Sequence, residues 1–137
     1  MRVMVDTNVV LDLLLAREKF VENAARIFGM IERSEIDGCV CATTITTIDY
    51  LLNHSMSKSQ SRKHLHRLVE IFEIASVNRS VIEEALSSKI SDFEDAVLAH
   101  AGILAGVDLI ITRNLKDFKK SNVKAVDPIE FLTIYKQ

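Results

Sequence analysis

Short apolar runs alternate with stretches of helical periodicity along this chain, and that alternation constrains the fold more than any other feature. Residues 2–5, 38–42, 74–77, 108–112 and 123–126 read as strands. Between them, apolar side chains recur at helical spacing: Phe20, Ala24, Ile27, Phe28 and Ile31 in one segment, Leu65, Leu68, Val69 and Phe72 in another. Helices are also expected over 8–16, 43–52 and 81–86, with the polar stretch 54–61 separating two of them. Ser91-Asp92-Phe93-Glu94 has the form of a capping box with the serine as cap, opening a helix that Gly106 stops. Asp127-Pro128-Ile129-Glu130 opens a last one with an N-cap candidate and a proline at the first helical position. Strand, helix and strand in this order imply an α/β fold whose mostly parallel sheet is covered on both faces. In such sheets the chemistry gathers beyond the carboxyl ends of the strands.

At 137 residues, 48% of them hydrophobic, the chain is expected to form a single domain over 1–137, large enough to bury roughly 70% of its unfolded surface. A formal net charge of -2 argues against binding nucleic acid by global attraction, so such binding needs a local basic patch. The apolar N-terminus is interrupted by Asp6 and Asp12 and is shorter than the roughly 20 residues that span a bilayer. We therefore expect no membrane segment and a cytoplasmic protein. Cys39 and Cys41 alternate with Val40 on one strand face, a poor geometry for a disulfide, and read as buried thiols.

The candidate chemistry is acidic. Asp6 directly follows the first strand, Asp92 and Asp95 lie three apart at a helix start, and Asp117 follows the strand ending at Thr112. Carboxylates gathered at one sheet rim repel one another, and a cation is the simplest reason to gather them. Oxygen ligands favour Mg²⁺ or Mn²⁺ over zinc. Two plainer readings stand beside this one. Acids in a first helical turn suit the helix dipole, and Asp117 also reads as a solvated loop residue. Asp6 is different, because an acid directly after a buried strand has to be capped, paired or metal-bound.

These motifs carry a resemblance. Val5-Asp6-Thr7-Asn8-Val9-Val10-Leu11-Asp12, Asp92-Phe93-Glu94-Asp95-Ala96, Ile111-Thr112-Arg113-Asn114-Leu115-Lys116-Asp117-Phe118 and Asp127-Pro128-Ile129-Glu130-Phe131-Leu132 follow one another as in a PIN domain. The chain resembles in particular the VapC-like toxins of toxin–antitoxin pairs. The resemblance implies a three-layer α/β/α fold with a central, mostly parallel sheet, and a Mg²⁺- or Mn²⁺-dependent endoribonuclease that hydrolyses phosphodiesters with a metal-activated water. Asp6 and Asp95 become the expected metal ligands, Asp92 and Asp117 further catalytic acids, and Asn8, Thr112 and Asn114 groups that orient them. It also implies an RNA substrate, a small antitoxin and a homodimer. Arg113, Lys116, Lys119 and Lys120, with Lys124, surround the rim and are expected to contact RNA phosphates, although a solvated basic face accounts for them equally. Leu13, Leu14, Phe20 and Phe28 read as core, or as a groove for a partner helix.

Two departures matter. Where many members carry a glutamate in the helix after the second strand, this chain has Thr47, and Asp49 lies about 200° further round the helix. Asn114 stands where the fourth acid often sits, leaving Asp117 as its substitute. These departures keep a second reading open: a catalytically depleted PIN-like module that binds RNA or a protein without cleaving.

Overall fold

The computed structural model describes residues 1–135; Lys136 and Gln137, included in the expected domain 1–137, lie outside the described residues. Five strands, β1 (Arg2–Val5), β2 (Asp37–Cys41), β3 (Glu73–Ala75), β4 (Leu109–Ile111) and β5 (Ala125–Val126), form one sheet in the order β3-β2-β1-β4-β5. Every pairing is parallel, so the sheet is wholly rather than mostly parallel. Seven α-helices flank it among the described residues: α1 (Thr7–Leu14), α2 (Val21–Glu32), α3 (Ala42–Leu52), α4 (Lys58–Ile71), α5 (Arg79–Leu86), α6 (Phe93–Ala105) and α7 (Pro128–Ile134). This is the α/β/α fold that the alternation implies.

The two-residue period of a strand sorts the core into two layers. Val3, Val5, Val40, Leu109 and Ile111 pack on one side with α1, α2, α3, α4 and α7. Met4, Cys39, Cys41, Ala75 and Ile110 pack on the other with α5 and α6. The two cysteines do share a face, and both are free and buried. Gly38 lets Ile31 and Phe72 close on β2, since a Cβ there would stand 2.7 Å from Ile31 and 2.9 Å from Phe72. Gly106 ends α6 at φ 74°, in the left-handed region that favours glycine.

Where boundaries differ from the sequence reading, local hydrogen bonds are the reason. Helix α4 begins inside the polar stretch, because Ser57 and Gln60 form a capping box that the serines around them obscure. Helix α6 is capped by Asp92 rather than Ser91: its Oδ1 accepts the Asp95 N–H at 2.9 Å. Phe28 is a core residue, Leu13 and Leu14 pack half-buried against the same core, and the Arg113 guanidinium lies over the half-buried Phe20 ring.

The sheet order places the site. From β1 the chain moves outward to β2 and β3, then returns to the other flank of β1 with β4 and β5. The direction of winding therefore reverses between β1 and β4, and a parallel sheet opens a crevice at the carboxyl ends of such a pair. Asp6 and Thr112 are the residues that follow those two ends, joined by the Asp6 N–H donating to Ile111 O at 3.0 Å.

Candidate active site

Asp6 leaves β1 and caps α1, its Oδ1 accepting the Thr7 N–H at 2.8 Å. Its Oδ2 accepts the Thr112 hydroxyl at 2.7 Å and the Asn8 amide at 3.1 Å. The Thr112 oxygen itself accepts the Asn114 N–H at 3.0 Å, which leaves its one hydrogen for Asp6. Asn8 Oδ1 in turn accepts the Arg113 N–H at 3.2 Å. Asn8 and Thr112 thus contact Asp6 directly, whereas Asn114 reaches it through its backbone N–H and Thr112.

Only 5% of Asp6 is exposed, and all three donors to its carboxylate are neutral. Burial pushes its pKa above the ordinary aspartate range against the pull of Thr112 and Thr7, and the charge of Glu94 adds to the rise. A buried anion without a cationic partner is costly.

Further acids approach from α6 and from the 3-10 turn Leu115–Phe118 after β4. Asp95, in the first turn of α6, has its pKa pushed up to about 7, first by burial and then by the charges of Asp6, Asp92, Asp117 and Glu94. The four sequence-predicted acids therefore share one electrostatic neighbourhood. Their freedom differs: one Asp92 oxygen is engaged in capping, while Asp117 lies exposed on the turn. Glu94 joins them, its Oε2 accepting the Thr47 hydroxyl at 3.3 Å across α6 and α3. Asp49 is committed elsewhere, accepting the Ser61 hydroxyl at 2.7 Å.

The donor set is all oxygen and strongly anionic, which suits a hard divalent cation. Among the described residues no group of three or more His, Cys, Asp or Glu side chains is placed to hold a metal ion. Mg²⁺ needs no such cage, since it keeps several waters and is commonly held by one or two carboxylates. The residues present fit that mode of binding.

The basic residues divide. Arg113 is turned inward: Nε and Nη2 grip Asp12 at 2.7 and 3.1 Å, and the guanidinium lies 3.9 Å from the Phe20 ring centroid. It is thus a wall of the site rather than a free phosphate donor. Lys116 and Lys119 are exposed and form no ion pair among the described residues. Lys120 is exposed too, but lines a cleft of about 320 Å³ with Glu84, Ser88 and His100, further along α6. No helix among the described residues is long and apolar enough to cross a membrane.

Sequence reasoning missed two participants. Asp12 looked only like an interruption of an apolar run, although a lone acid among Val9, Val10, Leu11, Leu13 and Leu14 needs a partner, and Arg17 five residues on signals one. Glu94 looked like a capping residue, and nothing local in the sequence shows that α3 passes beside it.

Comparisons with known proteins agree with the fold. VapBC2 from Rickettsia felis, bound to a DNA fragment from its promoter, is similar in structure, with TM-score 0.71 and 15% identity over 93% of this chain and 98% of that one. A toxin–antitoxin complex from Klebsiella pneumoniae aligns with TM-score 0.70 and 21% identity over 92% of this chain and 97% of that one. PAE2754 from Pyrobaculum aerophilum gives TM-score 0.61 and 16% identity, covering 98% and 97%. A search of curated protein sequences found no match. The family model described as PIN domain matches residues 2–116, from β1 through the turn that follows β4. The chain belongs to the PIN domain family.

Proposed function

We propose that this chain is a divalent-metal-dependent endoribonuclease, a single PIN domain over residues 1–137 that acts in the cytoplasm as the toxin of a toxin–antitoxin pair. The observation that carries the reading is Asp6: a buried carboxylate, oriented by three neutral donors, lacking a cationic partner, at the strand ends where Asp92, Asp95 and Asp117 also act. Membership of a nuclease family supports it. The similar structures that are toxin–antitoxin complexes support a small antitoxin as partner and motivate testing for a homodimer.

In this reading Asp6 and Asp95 hold the cation, Mg²⁺ or Mn²⁺. When bound, such an ion lowers the pKa of a water and neutralises charge developing on the phosphate oxygens. The protein does the rest. Thr112 and Asn8 fix Asp6 in one rotamer, with Asn114 fixing Thr112. Asp92 caps α6 through one oxygen and adds its charge beside Asp95, and Asp117 flanks the rim from the turn. Lys116 and Lys119 attract and align the RNA backbone.

The test is cleavage of a mixed pool of structured RNAs by the purified chain, with Mg²⁺ or Mn²⁺ and with EDTA, beside Asp6→Asn and Asp95→Asn. Metal-dependent cutting that both substitutions abolish is the expected result. Thr47 and Asn114 favour one alternative, a binding module with a depleted acid set. Folded protein that binds RNA but leaves it intact with either metal would establish that alternative.

A further inference from the structure

Arg113 and Asp127 share a cleft that the acid rim does not explain. Asp6 follows β1, Arg113 lies just past β4 and Asp127 directly follows β5, and these three strands are parallel neighbours. Their carboxyl ends form one edge, so the cleft opens one to two strand spacings, roughly 5–10 Å, along that edge from Asp6. It encloses about 270 Å³ and is lined from the other side by Lys19, Phe20 and Asn23, around the start of α2, and by Ile129 of α7. That volume falls below the roughly 300–1,000 Å³ of sites for drug-sized ligands and suits a single ring system.

Two flat groups are stacked in its wall. The Arg113 guanidinium lies 3.9 Å from the Phe20 ring centroid and is held there by Asp12 at 2.7 and 3.1 Å, so the platform is already ordered before a ligand arrives. Aromatic rings and guanidinium planes are the groups on which unpaired bases stack. Polar groups stand beside the platform. Asp127 caps α7 with Oδ1, which accepts the Glu130 N–H at 2.7 Å, while its other oxygen and the Asn23 side-chain amide have no partner among the described residues. Lys19 is exposed and forms no ion pair among them. An apolar protein side chain would cover the platform and leave these groups unpaired; a base joined to its phosphate uses all of them.

We infer that this cleft holds a nucleobase of the RNA beside the scissile phosphate, stacked on Phe20 and Arg113, and that Asp127 selects guanine, adenine or cytosine there over uracil. A carboxylate only accepts hydrogen bonds, so it pairs with the exocyclic amino group those three bases carry and repels the two carbonyls on the pairing edge of uracil. Lys19 contacts the adjoining phosphate. The inference rests on the nuclease reading and gives it a substrate preference.

The experiment is cleavage of a random-sequence RNA pool by the full chain with Mg²⁺ or Mn²⁺, every cut site being sequenced, for wild type, Asp127→Asn and Phe20→Leu. Thermal melting checks that each variant is folded; asparagine caps a helix as well as aspartate does, and leucine keeps the apolar bulk of Phe20. The wild type should disfavour uracil at one fixed position beside the cut by about 10-fold or more, the scale of a buried polar group left unpaired. Asp127→Asn, whose amide can donate to a carbonyl, should lose most of that preference and keep those at other positions. On one oligonucleotide carrying the preferred base, Phe20→Leu should raise KM about 10-fold with kcat within about 2-fold, as loss of a stacking surface does. Cutting without a base preference, a preference unchanged in folded Asp127→Asn, or an unchanged KM in folded Phe20→Leu would overturn the assignment while leaving metal-dependent cleavage intact, and a partner protein would then be the occupant to test. A wild type that cuts no RNA with either metal would overturn the nuclease reading and this inference together.

Discussion

Asp6 and Asp12 lie six residues apart, one capping α1 and the other within its last turn, and both are almost wholly buried, at 5% and 1% exposure. Their surroundings are opposite. Asp12 is gripped by Arg113 through two nitrogens and by Arg17 at 3.2 Å, and Arg113 is held flat against Phe20. Asp6 has only a hydroxyl, an amide and a backbone N–H, and its neighbours across the crevice are more carboxylates. The protein neutralises one buried charge with two arginines and gives the other only neutral donors. Burial of an acid therefore does not separate structure from chemistry; the identity of its partner does.

The sharpest way to break this comparison is to neutralise each acid in turn. Asp6→Asn should cost cleavage at least about 10³-fold, because in the proposed reading it removes a group that acts with cation and phosphate in place. Its metal-free stability should stay within about 1 kcal/mol of wild type, since no ion pair is lost. Urea melts in EDTA beside RNA cleavage assays check both halves. A large loss of stability in Asp6→Asn would make that carboxylate structural after all.

Asp12→Ala should behave in the opposite sense. Removing one member of a buried pair costs about 3–5 kcal/mol; Arg113 is 26% exposed and Arg17 39%, so both can turn partly to solvent. The expected loss is thus about 3 kcal/mol by urea denaturation, at the low end of that range. A double-mutant cycle with Arg113→Ala should show a coupling of about 2 kcal/mol.

The two aspartates also show how far the sequence was legible. Strand and helix alternation gave the layers and the sheet, because period-2 and period-3.6 patterns are local properties. Asp6 and Asp117 stood out because polar residues after apolar strands mark strand ends, and Asp92 and Asp95 because two acids three apart open a helix. The Arg113 guanidinium was not legible: basic residues near an acidic rim suggest phosphate contacts, and only the fold shows Asp12 reaching back from α1 to claim it. The Glu94–Thr47 contact was hidden for the same reason, being a pairing between helices 47 residues apart. Of the two helix caps read from the sequence, Asp127 does cap α7, while Ser91 lost the α6 cap to Asp92 because both are good capping residues in adjacent positions.

A pH titration sharpens the comparison at the other side of the crevice. Asp95 in the folded, metal-free protein has a pKa of about 7, above its ordinary value of 3.8. The folded state then binds more protons than the unfolded state between those values, so stability is greatest on the acid side and falls as pH rises from about 4 to 7. Asp95 is partly exposed, and after allowance for solvent screening the fall attributable to it is about 2 kcal/mol. Asp95→Asn should remove this slope in EDTA, and saturating Mn²⁺ should flatten it in the wild type. A slope unchanged in Asp95→Asn would mean that the group titrates elsewhere.

The smallest effects belong to the basic residues, and they test the same distinction between charges committed inside the protein and charges left for a ligand. Lys116 and Lys119 are exposed and have no ion-pair partner among the described residues, so each should act as one phosphate contact. Lys116→Ala or Lys119→Ala should weaken single-stranded RNA binding a few-fold and lower the slope of log K against log salt by about 0.7. Neither change should move the urea midpoint. Arg113→Ala should do the reverse, lowering stability through the loss of Asp12 and Phe20 while leaving the salt slope unchanged, because a guanidinium already paired with Asp12 releases no counterion from RNA. Binding measured by fluorescence anisotropy over a salt series, on Asp6→Asn protein so that the RNA survives, separates the two classes. A reduced slope for Arg113→Ala would show that Arg113 exchanges Asp12 for phosphate when RNA arrives, and the wall of the site would then be part of its grip.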